Sequence, residues 1–498
     1  MNLLSKNASR LADDYAMNNF GIKSAILMEN AAISSFNIIR SYVNTDDRII
    51  IICGSGNNGG DGYAIARHLH SHGYDVTVLS LGAKSRMSPE TFDNYNAVKS
   101  LGINIIENHN HECNVSDLNS YRVYVEALIG VGGDEKIKSN TAKLLKKINA
   151  CEGLKIAVDV PAGLNADTGI AHKDAFKADL TISMFAPKIG LYLNDGKKIS
   201  GKIYTAYLGV PTNICDNFSD VKILEKSDIR ANLPLRDDNS SKHDFGKVLV
   251  IAGSEKYSGA GALASNAALR SGAGLVYIAS TCFHKSLMPE IIKIKLKPDN
   301  DMFIAEDNYD TLLPYIDKSD ALVIGPGAGT NDGTLNLFRK IIDNFPEKKV
   351  LLDADGLLSI SAEKVYNKNL IITPHIYEFS RLICQNVNEF RTNELNTAIE
   401  YSKKMNCIIH LKYKPSISTD GKKSFLTING NAGMSSGGSG DVLSGIAGAY
   451  LSQGLKPLSA ISTAAFVHAL SGDICIKKQN KESLAASDLI ENLKYCFE

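Results

Sequence analysis

Short runs of apolar, often β-branched residues recur along the chain, each closed by glycine or a polar residue and followed by a stretch with helical spacing. In the first half these are RIIIICG from Arg48, DVTVLSLG from Asp75, VYVEALIG from Val123 and KIAVDVPAG from Lys155. Runs that are largely apolar, rather than alternating, predict strands buried on both faces, with the intervening helices as cover. LMENAAISSFNIIRSYV (27–43) brings Leu27, Ala31, Phe36, Ile38 and Ile39 close to one face and predicts a helix. Residues 61–72 predict another, with Gly73 as its C-cap. The pattern is α/β with a parallel sheet.

It restarts after a polar interval. Residues 212–244 are rich in Asp, Asn and Ser and carry Pro234, as a linker would. KVLVIAGS, GLVYIAS, ALVIGPG, KVLLDADG, NLIITPH and CIIHLKY follow. Two domains are expected, 1–220 and 221–498, because a single core stops growing at about 250–300 residues and the chain has 498.

Charge changes the picture by exclusion. Lys and Arg total 54 and so do Asp and Glu, so no global field draws nucleic acid or an anionic membrane, and neither is expected as a partner. Nine cysteines, an odd count with no CxxC pair, argue against zinc and against a complete disulfide framework, and place the chain in a reducing, cytoplasmic setting. MNLLSKNASRLADDY lacks the apolar core of a secretory signal, and no apolar run of about 18 residues predicts a membrane span.

Two glycine-rich stretches carry candidate chemistry. In CGSGNNGGDGYAIARHL (53–69), Gly54, Gly56 and Gly59 satisfy the dinucleotide fingerprint between a strand and a helix. A cofactor site of that kind also needs an acid ending the second strand to hold the ribose, and VTVLSLGAKS (76–85) has none. Asn57, Asn58 and Asp61 instead offer oxygens suited to a polar substrate or a hard cation, or simply cap the helix and turn. Asp159 ends a buried strand, where α/β proteins keep site residues.

The second stretch, NGNAGMSSGGSGDVLSGIAGAYLSQG (429–454), places Gly437-Gly438-Ser439-Gly440-Asp441 before a helix of small and apolar residues. Backbone N–H groups there can cradle a phosphoryl group, and Asp441 can deprotonate a hydroxyl or serve as an N-cap. No GK[ST] follows, so it is not a P-loop of the nucleotide triphosphatase kind.

LMENAA, GSGNNGGDGYAIARHL, VEALIGVG, VDVPAGLNADTG, FAPKIGLYL and LGVP, in that order, resemble the NAD(P)H-hydrate epimerase domain. The resemblance implies a Rossmann-like three-layer domain that interconverts the R- and S-hydrates of NADH and NADPH. Asn57, Asn58, Gly59, Gly60 and Asp61, with Gly130, Val131, Gly132, Gly133, Asp134, Glu135 and Lys136, would hold the substrate. Asp159 would sit at the reacting centre. The potassium ion of that family would fall to Asn58, Glu126 and Ala162. Here Glu126 stands where Asp is usual and Ala162 where Ser is usual.

GKVLVIAGSEKYSGAGALASNAALRSGAGLVYIAS, IGPGAGT, LDADGL, TPHIYEFSRL, GGSGD and SLAASDLI resemble the ADP- or ATP-dependent NAD(P)H-hydrate dehydratase domain, a larger ribokinase-like α/β domain. The resemblance implies that Ala260, Gly327 and His375 contact the hydrate. Lys412, Tyr413, Lys414, Pro415, Ser416 and Gly440 would contact the nucleotide, and Asp441 would be the catalytic carboxylate. Mg2+ and ADP, released as AMP, complete the expected set, with NADHX, NADPHX and ADP as ligands of a homo-oligomer. Leu411-Lys412-Tyr413 departs from the usual LKG and Ser241-Lys242-His243 from the usual HKG. Asp353 and Asp355 read equally as site support or as caps, Glu378 as fixing His375 or binding water around magnesium, and His468 as packed. Two rival readings stand beside this one: a vitamin-precursor kinase of ribokinase type, and an N-terminal domain reduced to a binding module.

Overall fold

The computed structural model describes residues 1–108 and 118–497. Cys113, one of the nine cysteines, lies outside the described residues, and the other eight are free thiols. The chain divides into two compact units, Asn2–Val221 and the remainder from Lys222 onward, which Met1 joins.

Among the described residues the first unit holds a seven-stranded parallel sheet. Its strands are β1 (Arg48–Cys53), β2 (Asp75–Ser80), β3 (Asn104–Glu107), β4 (Val123–Ala127), β5 (Leu154–Val158), β6 (Leu180–Met184) and β7 (Lys202–Ala206). Their spatial order is 3-2-1-4-5-6-7. The unbroken isoleucine run of β1 has the expected reason. Ile49 and Ile51 pack on one face among Phe36, Tyr63 and Val98, while Ile50 and Ile52 pack on the other among Leu144, Leu145 and Ile148. Helices α1 (Lys6–Phe20), α2 (Ser24–Ile39), α3 (Asn57–Ser71), α4 (Pro89–Ser100) and α5 (Ser139–Ala150) build the layers.

One boundary moves in a way that matters for function. Helix α3 begins at Asn57, not at residue 61, so NNGGD forms the first helical turn. Its glycines are required by close approach. A Cβ on Gly60 would lie 2.6 Å from Met28 Cε, and one on Gly59 would lie 2.1 Å from the Gly54 carbonyl. The helix start is thereby pressed against α2 and the end of β1.

Among the described residues the second unit builds its sheet from β8 (Val221–Ile223), β9 (Lys247–Ile251), β10 (Leu275–Ser280), β11 (Ile292–Lys295), β12 (Ala321–Ile324), β13 (Lys349–Leu352), β14 (Leu370–Ile372), β15 (Ile408–Leu411), β16 (Ser416–Thr419) and β17 (Ser424–Thr427). The order is 11-10-9-12-13-14-15-16-17-8. Pairing is parallel from β11 through β15, then antiparallel through β17. Helices α6 (Ser258–Arg270), α7 (Ile376–Leu382), α8 (Ser439–Ser452) and α9 (Pro457–Cys475) position its site.

One sequence expectation needs correction here. The interval 212–244, expected as a linker, carries β8 and a helical turn, Lys226–Asn232, closed by reciprocal capping between Glu225 and Asp228. Val221, Ile223 and Ile229 are buried, and three anchors suffice to order a short polar segment. Helix α9 is long and apolar enough to match a membrane span by length and composition, but 67% of that window is buried within the fold, as in a core helix. Its Ser, Thr, His and Asp residues break the apolar run without lowering the average far.

Candidate active sites

A cavity of about 540 Å³ opens in the first unit near the ends of β1, β4 and β5. Asn57, Asn58, Asp61, Val131, Gly132 and Asp159 line it, as do Asp13 and Lys188, which sequence reasoning left without a role. Gly59 and Gly60 serve packing instead. Gly130 adjoins the cavity, where a Cβ would lie 2.8 Å from Asp159 Oδ2 and 3.2 Å from Asn58 Oδ1. Gly133, Asp134 and Glu135 lie outside the lining. Asp134 accepts from the Lys136 amide, and Glu135 accepts from Asn165 Nδ2.

Asp159 follows β5 with φ at 70°, a conformation that costs a non-glycine residue about 1–3 kcal/mol. Donors converge on its carboxylate. Lys188 Nζ donates to Oδ1 at 2.6 Å, the Met184 amide to Oδ1 at 3.2 Å and the Val131 amide to Oδ2 at 2.9 Å. Lys188, 1% exposed, also donates to the Met184 carbonyl at 2.7 Å. A lysine in the apolar motif FAPKIGLYL was the available signal, because lysine is almost never fully buried unless paired. Asp13 had a quieter one: Ser9, Asp13 and Met17 recur every fourth residue on α1, and all three line the cavity.

Carboxyls crowd this chamber. Desolvation pushes Asp13 up to about 6, with Lys188 opposing and Asp159 adding to the rise. Asp61 is likewise held well above the ordinary range by burial first and then by Asp159 and Asp13. Protons are therefore available here near neutral pH.

The potassium trio is only partly free for an ion. Asn58 offers a buried side chain whose Oδ1 and Nδ2 lack partners. Glu126, however, is fully buried and accepts from the Leu128 and Ala162 amides at 2.7 and 2.9 Å, one on each oxygen. Burial raises its carboxyl to about 7, partly offset by those two amides. The Ala162 carbonyl already accepts from the Phe176 amide at 3.0 Å. The added methylene of Glu126 reaches backbone donors rather than an open cation cage.

In the second unit the expected residues gather at the C-terminal ends of the parallel strands. Gly327, at φ 61°, packs on Ala260, where a Cβ would approach to 2.9 Å. His375 caps α7: its Nδ1 accepts from the Tyr377 and Glu378 amides, both at 3.1 Å, so Nε2 carries the proton. Glu378 returns the cap by accepting from the His375 amide at 2.8 Å. The next strand lies alongside, with the Lys412 amide donating to the Pro374 carbonyl at 2.9 Å.

Asp353 is the centre of this site. It pairs with Lys412 Nζ and accepts from Ser444 Oγ at 2.7 Å, while capping the Ala354 amide. Burial pulls Asp353 up, but Lys412 and the surrounding donors hold it below the ordinary range. Asp441 lies in the first turn of α8, behind Gly438 at φ 89°, and is not its N-cap. Burial and then Asp353 push Asp441 up to about 7, with Lys412 opposing. Gly440 lies against the same pair. Lys412, Tyr413, Lys414, Pro415 and Ser416 form the β15–β16 connection, with Tyr413 exposed and Lys414 donating to the Gly430 carbonyl. His468 is not remote, for its Nε2 lies 3.2 Å from Ser439 Oγ at the start of α8.

Residues 24–190 match the family described as YjeF-related protein N-terminus, and residues 248–494 match NAD(P)H-hydrate dehydratase. A protein of Thermofilum pendens named bifunctional NAD(P)H-hydrate repair enzyme is 31% identical over 97% of this chain and 94% of its own length. This chain belongs to the bifunctional NAD(P)H-hydrate repair enzyme family. A Coxiella burnetii relative of the same name is 31% identical over 95% of each chain. Among solved structures, a ribokinase-like protein of Enterococcus faecalis covers 56% of this chain and 96% of its own at 23% identity and a TM-score of 0.50, a likeness of fold. The ADP/ATP-dependent NAD(P)H-hydrate dehydratase of Bacillus subtilis, co-crystallised with ATP/Mg2+, covers 56% of this chain and 99% of its own at 26% identity and a TM-score of 0.48. Membership in a repair family that pairs an epimerase with a dehydratase sets aside the vitamin-precursor kinase reading.

Proposed function

We propose that the Asp159–Lys188 chamber interconverts the R- and S-hydrates of NADH and NADPH, and that the Asp441 site dehydrates the S form at the expense of ADP. The observation that carries the second half is a half-buried carboxyl, pushed up to about 7, at the N-terminus of a 14-residue helix and beside a lysine–aspartate pair. A base poised near neutrality takes a hydroxyl proton efficiently, and a helix N-terminus favours the phosphoryl charge.

The chemistry follows. Asp441 removes the proton of the hydrate's hydroxyl as that oxygen attacks the terminal phosphorus of ADP, whose phosphoanhydride bond breaks to release AMP. The ring nitrogen's lone pair then expels phosphate with the C–O bonding electrons. Loss of a proton from the neighbouring ring carbon restores the dihydropyridine. Lys412, paired with Asp353, positions the phosphates. Magnesium would arrive with the nucleotide and neutralise phosphate charge. Such an ion keeps several waters and needs only one or two carboxylates, for which Glu378 is at hand. Among the described residues no cluster of three or more such ligands exists.

In the first chamber Asp159, oriented by backbone and lysine donors, acts at the reacting centre, and Asp13 and Asp61 exchange with it the protons that hydroxyl departure and return require. No step is assigned to potassium. Exchanging KCl for NaCl at constant ionic strength is expected to change R-hydrate consumption less than about twofold, because each Glu126 oxygen is turned to a backbone amide and Ala162 brings no side-chain oxygen. A tenfold dependence on potassium would overturn that assignment.

The deciding experiment mixes the full chain with both hydrates and ADP or ATP and follows NADH absorbance. S-hydrate is expected to be consumed with ADP, and R-hydrate to follow through the first unit. Absence of NADH with either nucleotide would refute the dehydratase reading.

A further inference from the structure

A second cavity, of about 590 Å³, opens in the first unit beside the Asp159 chamber. It lies over the C-terminal ends of β1, β2 and β4, against the start of α5, and shares Ser55, Leu128 and Ile129 with the first cavity. The two linings differ in sign. The Asp159 chamber has three carboxylates, Asp13, Asp61 and Asp159, against two cations, Arg10 and Lys188. Among the described residues the second has Arg86, Lys136 and Lys138 and no carboxylate. All three cations are exposed, and none has an ion pair among the described residues. Ser139, Asn140 and Thr141, the first turn of α5, line the same space, adding the positive end of a 12-residue helix.

Position sharpens what charge suggests. The strand order reverses between β1 and β4, and in open α/β sheets the crevice at that reversal takes the ligand. Where such a crevice holds NAD, an acid ending the second strand binds the ribose 2′-hydroxyl, and an arginine nearby accommodates a 2′-phosphate instead. Here β2 ends at Ser80, no acid follows it through residue 86, and Arg86 closes the next turn. The acid whose absence argues against a resident cofactor is replaced by a cation.

We propose that this second cavity holds the phosphate-bearing adenosine half of the hydrated dinucleotide, with Arg86 selecting the 2′-phosphorylated hydrate, that of NADPH, over that of NADH. The inference rests on the epimerase reading of the adjoining chamber. The ring to be epimerised occupies the acidic chamber, the chain of phosphates crosses the shared wall at Ser55 and Ile129, and Lys136 and Lys138 face the pyrophosphate. Arg86 is then a specificity-determining residue, not a catalytic one.

The test uses the full chain, excess ADP and the R-hydrates of NADPH and NADH, whose consumption must pass through the first unit. Wild-type kcat/KM is expected to favour the phosphorylated hydrate by about 10–100-fold, the effect of hydrogen bonds to a charged group. Arg86→Gln is expected to lower that ratio about tenfold through KM, with kcat retained. Lys136→Ala/Lys138→Ala is expected to raise KM for both hydrates alike, because the pyrophosphate is common to them. Equal losses for the two hydrates with Arg86→Gln, or no change in either, overturn the proposal. Asp159→Asn separates it from its premise. If R-hydrate consumption survives that change, the epimerase reading fails. If consumption is lost there while Arg86→Gln leaves the ratio intact, only the present inference fails.

Discussion

Asp441→Asn is expected to lower ADP-dependent recovery of NADH from the S-hydrate by about 10²–10⁴-fold, the usual contribution of a positioned general base. Asparagine keeps the size and the first-turn position on α8 but takes up no proton. The pH dependence gives an independent reading. Burial and Asp353 push Asp441 up to about 7, and the base acts only when deprotonated. Wild-type kcat/KM therefore rises with pH through about 7 and levels off above it. Asp353→Asn removes the negative charge that raises Asp441 and leaves Lys412, which lowers it, without its partner. The acid limb then shifts to lower pH, a change that lost stability alone does not produce. A profile flat from acid to alkaline pH in the wild type would sink the assignment of Asp441 as base.

How much of this was legible beforehand depended on whether the signal was local. The alternation of continuous apolar runs with helical spacing disclosed two parallel-sheet units because Ile49 through Ile52 must be covered on both faces. Asp159 and Asp441 were legible because each lies at a strand end or a helix start within a motif of few residues. Pairing across the fold was not. Asp353 and Lys412 are 59 residues apart and Asp159 and Lys188 are 29 apart, and only the order of strands in each sheet brings the members of a pair together. The same limit hid Glu126. As a substitute for aspartate it suggested a longer reach toward a cation, whereas the fold directs that reach to the Leu128 and Ala162 amides. The spacing predicts helix α3 only from residue 61, and the glycines before it disfavour helix. The competing term is steric, since neighbouring side chains and backbone leave no room for a Cβ at Gly59 or Gly60.

Asp159→Asn is expected to stop consumption of the R-hydrate, by about 10²–10⁴-fold, while ADP-dependent consumption of the S-hydrate continues. The substitution also has a structural cost that must be separated from the chemical one. Lys188 is 1% exposed and pairs with Asp159 at 2.6 Å. Removing one partner of a buried pair typically costs about 3–5 kcal/mol, because the other charge is left buried without compensation. The single variant is therefore expected to melt lower than the wild type. Asp159→Asn/Lys188→Met removes both charges, and replacing a buried pair by apolar packing is often close to neutral, so most of the lost stability should return. If R-hydrate consumption returned with it, Asp159 would have been needed only to hold the fold. If it stays absent in a chain that melts normally and still dehydrates the S-hydrate, the carboxylate acts at the reacting centre. Loss of S-hydrate consumption in that stable double variant would contradict the division of labour, because the second unit carries its own base, lysine pair and helix start.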